Sequence, residues 1–436
     1  MVAGLLKYER CPLQQIVDDL YAARGEIFDD LFNRAWALLD AAGQRILMVM
    51  TFFPDSASGD ALSATADVRG FDFDRAVERL TDLSLLDVQQ ADLMSEPRYV
   101  LHPLVRAFAR ARLAEQIEFE REARERWVGW YVQLTARVGY CWHDISLLQL
   151  FAHEDTSLLV VFDWAHLNGY VLEMFQIAHG IWYYLHVRGE WEHLLKMART
   201  CYEQAQETQH MSETFWGLMQ MLEILSRREE MDQVEPYVLE AQELLQHSAM
   251  VDDILSCVFG WSALGRYWGM HRDIWKARQS FLNSIDSARD PSHPGYALGQ
   301  IYFVKFLYEQ GCVDEAHILC QQALTHAQRI NYRRNVDYIR AHLAMIELRK
   351  GNLDVLEELL RTALSSAYEY QDGGEIISVI QRTYAHLHTL RGDLSAAHTA
   401  LTEAIDLFER IGMRRELAEA REELARLEAQ IVASAE

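Results

Sequence analysis

The chain has 436 residues, more than one compact domain usually holds, and half of them are hydrophobic, so a large core can be buried. Its formal net charge of −24 argues against nucleic acid and anionic membrane surfaces as partners of the whole chain. Proline is scarce, at 7 residues, and leucine, alanine and glutamate are abundant, which favours helix. The longest uncharged apolar block, residues 46–53, is too short to span a membrane and predicts a buried helix.

The six cysteines are scattered, and no two of them form a C-x-x-C pair. Such spacing indicates neither a disulfide scaffold nor a zinc ribbon and is typical of a reduced protein. The N-terminal residues contain too short an apolar run for a signal peptide. The sequence therefore predicts a cytoplasmic, mainly α-helical protein without a membrane anchor.

The first part of the chain begins with helical patterns. Residues 26–42 and 43–53 predict two helices, the second ended by a proline, and residues 56–66 are small and polar and predict a short helix. Residues 71–86 form a clear amphipathic pattern, and Asp72 stands where a carboxylate can cap the free N–H groups of the first turn.

A hairpin pattern follows these helices. Residues 85–101 consist of strand, polar loop and strand, with the turn expected at residues 92–97. A further helix begins at Pro103. Because helices followed by a hairpin are the arrangement of a winged helix, we expect a small winged-helix domain over residues 26–118.

Beyond this domain the strand signals stop, residues 119–173 predict a helical linker, and residues 174–436 predict helical repeats. The strongest repeat reads W-x2-L-G-x2-W over residues 261–268, followed by Ala277 and Phe281. This matches the tetratricopeptide pattern, in which small residues let two antiparallel helices approach and aromatic residues fill the space between pairs.

The same frame recurs with a period near 40 residues. Equivalent second-helix positions are Ala277, Ala316, Leu356 and Ala397. Glycines mark the turns of the later repeats and allow the first helix to end at little cost: Gly311, Gly351 and Gly392. Two earlier copies fit, one around Gly189 and a weaker one around Val234. The sequence thus predicts six helix pairs in a right-handed tetratricopeptide-like α-solenoid, with a charged C-terminal helix as its cap.

Two stretches, residues 73–110 and 154–198, resemble the signal-transduction ATPases with numerous domains (the STAND class) in their bacterial NB-ARC form. The resemblance implies a nucleotide-binding domain, then a winged helix, a linking helical region and a tetratricopeptide sensor. Residues 1–25 resemble the last helices of such a nucleotide-binding domain. A protein or small-molecule inducer in the solenoid and a nucleotide-binding domain in cis are the partners that this resemblance implies, with oligomerisation on activation.

The chain departs from that family in one large respect, because it contains no G-x-x-x-x-G-K-[ST] loop to hold phosphates. We therefore expect no cofactor and no catalysis in this chain, while ADP or ATP belongs to the full-length family architecture. Either the chain is a fragment that starts just after the ATPase core, or it is a degenerate stand-alone relative. The abrupt start in mid-architecture favours the fragment.

His102 precedes Pro103 at the junction of the second hairpin strand and the next helix. Proline suits the first helical position, and His102 then caps a helix whose free N–H groups and dipole favour an anion. The family resemblance implies that His102 contacts the phosphates of bound ADP when a nucleotide-binding domain is present. The alternative is that His102 only ends a strand and caps a helix.

The concave face of the solenoid is the remaining candidate site, because the first helix of each pair lines it. Aromatic and basic residues predicted to face inward could hold an anionic ligand or an acidic peptide. They are His179, Tyr183, His186, Arg266, Lys305, Tyr308, Arg382 and His386.

Other functions are less well supported by the sequence. The segment that would recognise DNA in a winged helix is acidic, and no H-E-x-x-H or Cys/His cluster has metal-ligand spacing, so neither nucleic acid nor a metal is expected. Two alternatives to the sensor remain open: a free-standing scaffold that assembles proteins, and the regulatory arm of a transcriptional regulator.

Overall fold

The computed structural model describes residues 27–89, 96–247 and 253–435. The predicted nucleotide-binding-domain remnant, residues 1–25, and most of the predicted hairpin turn lie outside the described residues. Two compact units emerge from the pattern of contacts. The N-terminal unit comprises Met1–Gly139 and Gln149–Gly180, and the C-terminal unit comprises Tyr140–Leu148 and Ile181–Glu436. The predicted boundaries after residues 118 and 173 stay predictions.

The N-terminal unit contains short helices and three short strands. In chain order they are α1 (Ile27–Ala37), α2 (Ala41–Val49), a 3-10 turn (Met50–Phe52), β1 (Ser56–Ser58), α3 (Gly59–Ala66), α4 (Gly70–Asp82), β2 (Asp87–Gln89), β3 (Arg98–Val100), α5 (Pro103–Ala114), α6 (Ile117–Val138) and α7 (Asp155–Leu167). The apolar block at residues 46–53 is buried, as predicted, although its last residues form the 3-10 turn and an extended end rather than α-helix.

The three strands form an antiparallel sheet in the order β1-β3-β2. Val100 of β3 pairs with Ser56 on one side and with Asp87 on the other. The predicted pairing of β2 with β3 is therefore confirmed. Strand β1 was not predicted from the sequence, because Ser-Ala-Ser has little strand propensity and pairs only with a distant segment.

The N-terminus of α4 differs from the prediction. The helix begins at Gly70, and its N-cap is Arg69, whose side chain makes no capping hydrogen bond. Asp72 instead lies inside the first turn, where its negative charge interacts favourably with the positive end of the helix dipole. The prediction that Asp72 caps the helix was therefore wrong, because Asp72 lies three residues after the N-cap.

A buried ion pair holds β3 against the helices of the same unit. Arg98 of β3 pairs with Glu154, whose side chain is 5% exposed, and donates a second hydrogen bond to the His153 carbonyl at 2.7 Å. The hydroxyl of Tyr131 donates to the other Glu154 oxygen at 2.6 Å. No local sequence pattern predicts this pair, because its members lie 56 residues apart.

The C-terminal unit is a solenoid of paired helices. Its helices, the first of which starts before the unit boundary, are α8 (Val171–Arg188), α9 (Trp191–Thr208), α10 (Met211–Arg227), α11 (Met231–Val234), α12 (Val238–Gln246), α13 (Ile254–Met270), α14 (Ile274–Ser287), α15 (Pro294–Glu309), α16 (Val313–Arg329), α17 (Arg333–Lys350), α18 (Leu353–Glu369), α19 (Glu375–Arg391), α20 (Leu394–Ile411) and α21 (Arg414–Ala435). The second pair is irregular, because Pro236 stands in a 3-10 turn that separates α11 from α12.

The predicted repeat frame is confirmed by burial. The equivalent second-helix residues Ala277, Ala316, Leu356 and Ala397 all have 0% exposure. Each turn between the two helices of a pair contains one residue with a left-handed backbone conformation, and this residue is glycine in four of the six pairs. Its positions are Gly189, Glu229, Arg272, Gly311, Gly351 and Gly392. Glycine adopts this conformation without steric cost, so the sequence signal is strongest where glycine occupies it.

The solenoid curves so far that its first and last pairs touch. The Gly373 N–H donates to the Val187 carbonyl at 2.7 Å, and Arg188 donates to the Gln371 carbonyl at 3.0 Å. A Cβ on Gly373 would lie 1.8 Å from the Arg188 carbonyl carbon, so this approach requires glycine. The inner face is consequently enclosed rather than an open groove, which the sequence analysis did not predict.

Candidate ligand-binding site

An inner cavity of about 440 Å³ lies among α15, α17, α19, α20 and α21 in the C-terminal unit. That volume suits a small ligand or the end of a peptide. Part of its wall is apolar and consists of Val304, Met345, Val379, Phe408 and Met413. Charged and hydrogen-bonding side chains complete the lining, so the cavity offers both an apolar surface and polar contacts.

Four of the residues predicted from the sequence lie together in this cavity. They are Lys305, Tyr308, Arg382 and His386. The repeat frame found them because each stands on the inner face of a first helix. Their predicted role as ligand contacts stays a prediction.

The cations of the cavity do not stand free for an anion. Lys305 Nζ donates to Glu416 at 2.7 Å, and Arg382 donates to Glu419 at 2.9 Å and to Glu423 at 2.7 Å. All three carboxylates belong to α21, where spacings of three and four residues place them on one face. The predicted terminal cap is therefore also a wall of the cavity, and it neutralises the cations that suggested an anionic ligand.

The same wall holds a strongly ionised carboxylate. Burial raises the pKa of Glu423, but hydrogen bonds from His386, at 3.0 Å, and Arg382 outweigh burial and leave that pKa at about 2. Glu423 thus remains charged at all ordinary pH values. An anionic ligand would have to displace it from both partners.

A second cavity of about 180 Å³ shares Lys305, Glu309 and Arg415 with the first. Arg266, another predicted residue, lines this second cavity and donates to Glu223 at 2.5 Å and to Ser226 at 2.7 Å. The two cavities are therefore neighbours along the inner face, and both are lined by paired charges.

A buried ion cluster lies at the centre of the inner face. Arg227, at 7% exposure, pairs with Glu223 at 2.5 Å and with Glu375, and it donates to the Tyr302 hydroxyl at 2.6 Å. Arg334 pairs with the other oxygen of Glu375 at 2.7 Å. The cluster joins α10, α15, α17 and α19. Charged residues at first-helix positions were its only signal in the sequence.

Electrostatics keep the cluster ionised despite its burial. Burial alone raises the pKa of Glu223, but Arg266 and Arg227 outweigh burial and hold that pKa below its ordinary value. Breaking such a pair leaves an uncompensated buried charge, which is strongly destabilising.

Tyr183 and His186 do not face an open groove. Tyr183 is 1% exposed and His186 is 5% exposed. The His186 ring stacks between Trp182 and Trp191, at centroid distances of 5.5 and 6.2 Å. Burial lowers the pKa of His186, and Arg334 and Arg227 lower it further, so the imidazole is neutral. The enclosed solenoid explains this difference from the prediction.

His179, the remaining member of the predicted set, is exposed and belongs to the N-terminal unit. It lies on the part of α8 that precedes the division at Gly180. The structure therefore does not group it with the other seven predicted residues.

His102 caps α5 as the sequence predicts. Its Nδ1 accepts from the Leu104 N–H at 3.3 Å, Pro103 occupies the first helical position, and the side chain is exposed. The same arrangement occurs at His293 and Pro294, where Nδ1 accepts from the Gly295 N–H at 3.1 Å. The cap is thus a local consequence of a His-Pro sequence, and the contact of His102 with phosphate stays a prediction.

No group of three or more His, Cys, Asp or Glu side chains in the described ranges is arranged to hold a metal ion. Within the described ranges no single helix has the length and apolar character to cross a membrane. One bent pair of helices, Ile145–Phe151 with Asp155–Leu167, is long and apolar enough by length and composition alone.

Comparisons with known proteins place the fold. No family model matches the chain. The structure of a STAND protein with a tetratricopeptide repeat sensor from Pyrococcus horikoshii aligns with 99% of this chain at a TM-score of 0.54 and 14% identity. The chain spans 65% of that protein, and at this identity the likeness concerns the fold alone.

Two weaker likenesses accompany it. The transcription activator GutR of Bacillus subtilis (strain 168) is 28% identical over 124 residues, which are 28% of this chain and 15% of GutR. A Rap protein complexed with competence and sporulation factor aligns with 70% of this chain and 98% of its own at 12% identity, but its TM-score of 0.44 is too low to indicate a shared fold. The chain is therefore a mainly α-helical, tetratricopeptide-like solenoid protein that is similar in fold to a STAND sensor.

Proposed function

We propose that the chain is the regulatory and sensor portion of a STAND signalling ATPase of the NB-ARC type. In this proposal the solenoid binds a protein or small-molecule inducer, and a winged-helix domain couples that binding to a nucleotide switch in cis. The chain performs recognition and leaves nucleotide hydrolysis to the domain that carries the phosphate loop.

The order of elements supports the winged-helix assignment. A helix, a short strand, two helices and a two-stranded antiparallel hairpin follow one another from α2 to β3, and the short strand β1 joins the hairpin on its β3 edge. This is the layout in which a helical core carries a small sheet at one side. The helix α5 then starts at the His102 cap immediately after β3.

The inner cavity is the observation that carries the sensor proposal. It is concave, it has an apolar wall, and several polar groups line it, which are the general features of ligand sites in proteins. A solenoid that bound partners only along an open groove would not need to close on itself through Gly373.

The proposed mechanism is a shift between two states. The cavity is formed by helices of the last three pairs and α21, and the ring is closed by contacts between residues 187–189 and 371–374. The two states differ in the curvature of the solenoid. An inducer that binds one state more tightly than the other shifts the equilibrium toward that state, and the difference in affinity limits the size of the shift. The winged helix then releases the ADP phosphates that His102 contacts in the inactive state.

The coding DNA upstream of the Met1 codon tests this architecture when it is read in frame. A phosphate loop, followed by an aspartate-bearing strand, is expected and would support the nucleotide switch. A stop codon directly upstream would contradict the cis arrangement and leave the scaffold as the better interpretation.

A second candidate is the regulatory arm of a transcriptional regulator. The likeness to the transcription activator GutR, although confined to 124 residues, favours it. The same upstream reading distinguishes it, since a DNA-binding domain encoded without a phosphate loop would support this candidate against the ATPase.

A further inference from the structure

The inner cavity contains a buried carboxylate oxygen, Oε2 of Glu416, that has no donor in the described part of the chain, and it is also lined by the imidazole of His342. His342, on α17, is 7% exposed, and Glu416, on α21, is 8% exposed. Both line the cavity. Buried polar groups normally find a partner, so each unsatisfied group requires an explanation.

The imidazole of His342 presents an acceptor to the cavity. Its Nδ1 lies 2.9 Å from the Tyr338 carbonyl oxygen, and because a carbonyl can only accept, Nδ1 carries the proton. Burial lowers the pKa of His342 to about 4, so the ring is neutral near pH 7 and Nε2 holds a lone pair. Among the described residues Nε2 has no hydrogen-bond partner.

Glu416 presents a second acceptor. Its Oε1 accepts from Lys305 at 2.7 Å, whereas Oε2 has no partner in the described part of the chain. Burial raises the pKa of Glu416, but Lys305 outweighs burial and holds that pKa below its ordinary value, so the carboxylate is charged. Glu416 and His342 both line the same cavity.

The surrounding charges do not favour an anion. Four lysine and arginine side chains and five carboxylates line the cavity, and the cations nearest the acceptors already pair with carboxylates of α21. In the neighbouring cavity, burial and the adjacent Glu416 raise the pKa of Glu229, because negative charge is crowded there. A ligand cation would relieve this crowding.

We propose that the inner cavity binds a ligand that carries a primary ammonium group, which donates hydrogen bonds to Nε2 of His342 and Oε2 of Glu416. The apolar wall beside Met345, Val379 and Phe408 then contacts the hydrocarbon body of that ligand. This inference rests on the proposed role of the solenoid as a sensor and replaces the anionic ligand expected from the sequence. A free amine and the N-terminus of a peptide both offer this chemistry.

Isothermal titration at pH 7 with three probes of equal shape tests the ammonium requirement. The probes are isoamylamine, its neutral alcohol isoamyl alcohol, and its anionic counterpart isovalerate. We expect the amine to bind about tenfold or more tightly than either counterpart, because a hydrogen bond to a charged group adds to the shared apolar contact. Equal binding of the three probes would overturn the proposal.

Substitutions at His342 test the site. His342→Phe keeps a ring of similar volume but removes the acceptor, and it is expected to lower the affinity for isoamylamine about tenfold or more. His342→Gln restores an acceptor and should recover most of the binding. His398→Phe on the outer helix α20, outside the cavity lining, is the matched control and should change nothing. Melting curves establish that each variant is folded, and unchanged amine affinity in folded His342→Phe would overturn the assignment.

Two further experiments distinguish a peptide N-terminus from a free amine as the ligand, and failure of the ammonium proposal from failure of the sensor proposal. A leucine-rich hexapeptide with a free N-terminus, compared with its acetylated form, shows whether a peptide amine is preferred to isoamylamine. Val379→Trp fills the cavity. If isovalerate binds best and Val379→Trp abolishes that binding, the ammonium proposal fails while the sensor role stands. If no probe or peptide binds, both the ammonium assignment and the cavity-based sensor proposal are contradicted.

Discussion

The inner and outer faces of the solenoid use the same Arg–Glu chemistry with very different consequences. On the outer face, Arg278 of α14 donates to Glu315 of α16 at 2.5 Å, and the two side chains are 40% and 47% exposed. On the inner face, Arg227 and Glu223 are also 2.5 Å apart, but they are 7% and 1% exposed. Distance alone does not distinguish these pairs. Burial does, because water screens the outer pair and leaves the inner pair dependent on its protein partners.

The buried inner pairs, unlike the exposed outer pairs, lie beside the cavity and are therefore the ones that a bound ligand could affect. Exposed pairs such as Arg278–Glu315 and Arg391–Glu357 bridge neighbouring helices in contact with water. Inner pairs join α10, α15, α17 and α19 into one network, and the acidic face of α21 pairs with the cations beside the cavity. Because the inner network joins four helices, a change of curvature would have to rearrange it.

The largest expected effect comes from breaking the inner network. Arg227→Met leaves Glu223 and Glu375 each short of a partner in a buried site, so the free energy of unfolding should fall by about 3 kcal/mol or more. Arg278→Met on the outer face should change it by less than about 1 kcal/mol. Urea denaturation of both variants measures the contrast, and similar losses would show that burial does not separate the two faces.

The closure of the ring is the next contact to test. Gly373→Ala places a methyl group 1.8 Å from the Arg188 carbonyl carbon, so the first and last pairs must separate or shift. We expect a loss of about 1–3 kcal/mol, typical of overpacking, and a larger radius of gyration in solution scattering. Gly129→Ala, where the backbone is not left-handed and a Cβ meets no atom within 4 Å, is a control for an added methyl group without a clash. An unchanged radius for Gly373→Ala would contradict the enclosed inner face.

The acid dependence of stability should be greater for the inner face. The pKa of Glu423 lies at about 2, below its ordinary value of 4.5, so the stability it contributes is complete above pH 4.5 and is lost as the pH falls toward 2. Glu423→Gln should flatten the fall in stability across that window. Glu357→Gln removes an exposed carboxylate that pairs with Arg391. This change should alter the pH dependence of stability less, because solvent screens that pair. Equal flattening would remove the distinction.

The smallest expected effects come from the two His-Pro caps, which local sequence builds in either unit. His102→Ala and His293→Ala each remove one hydrogen bond to the second helical N–H, so each should lower the free energy of unfolding by about 1 kcal/mol. Thermal unfolding of both variants checks this. A much larger loss at His102 would mean that its side chain has structural contacts beyond the cap.

These contrasts show why the sequence predicts some features and not others. The repeat frame was readable because Ala277, Ala316 and Ala397 obey a local period, and the helix at Pro103 because its cap lies within three residues. The closure through Gly373 and the pairing of Arg382 with α21 join positions that are far apart or in different helices, and no local pattern records them. The inward-facing cations of the cavity were found, but their carboxylate partners on α21 were not, because those partners lie in a different helix.

The most direct test of the proposed nucleotide switch uses the two matched caps in protein purified from the whole reading frame. Bound ADP is measured in the wild type, in His102→Ala and in His293→Ala. Because the caps are alike in geometry, any difference reports what His102 contacts beyond its own helix. The account predicts that His102→Ala loses bound ADP while His293→Ala retains it. Equal ADP retention by both variants would contradict the switch and return His102 to the role of an ordinary helix cap.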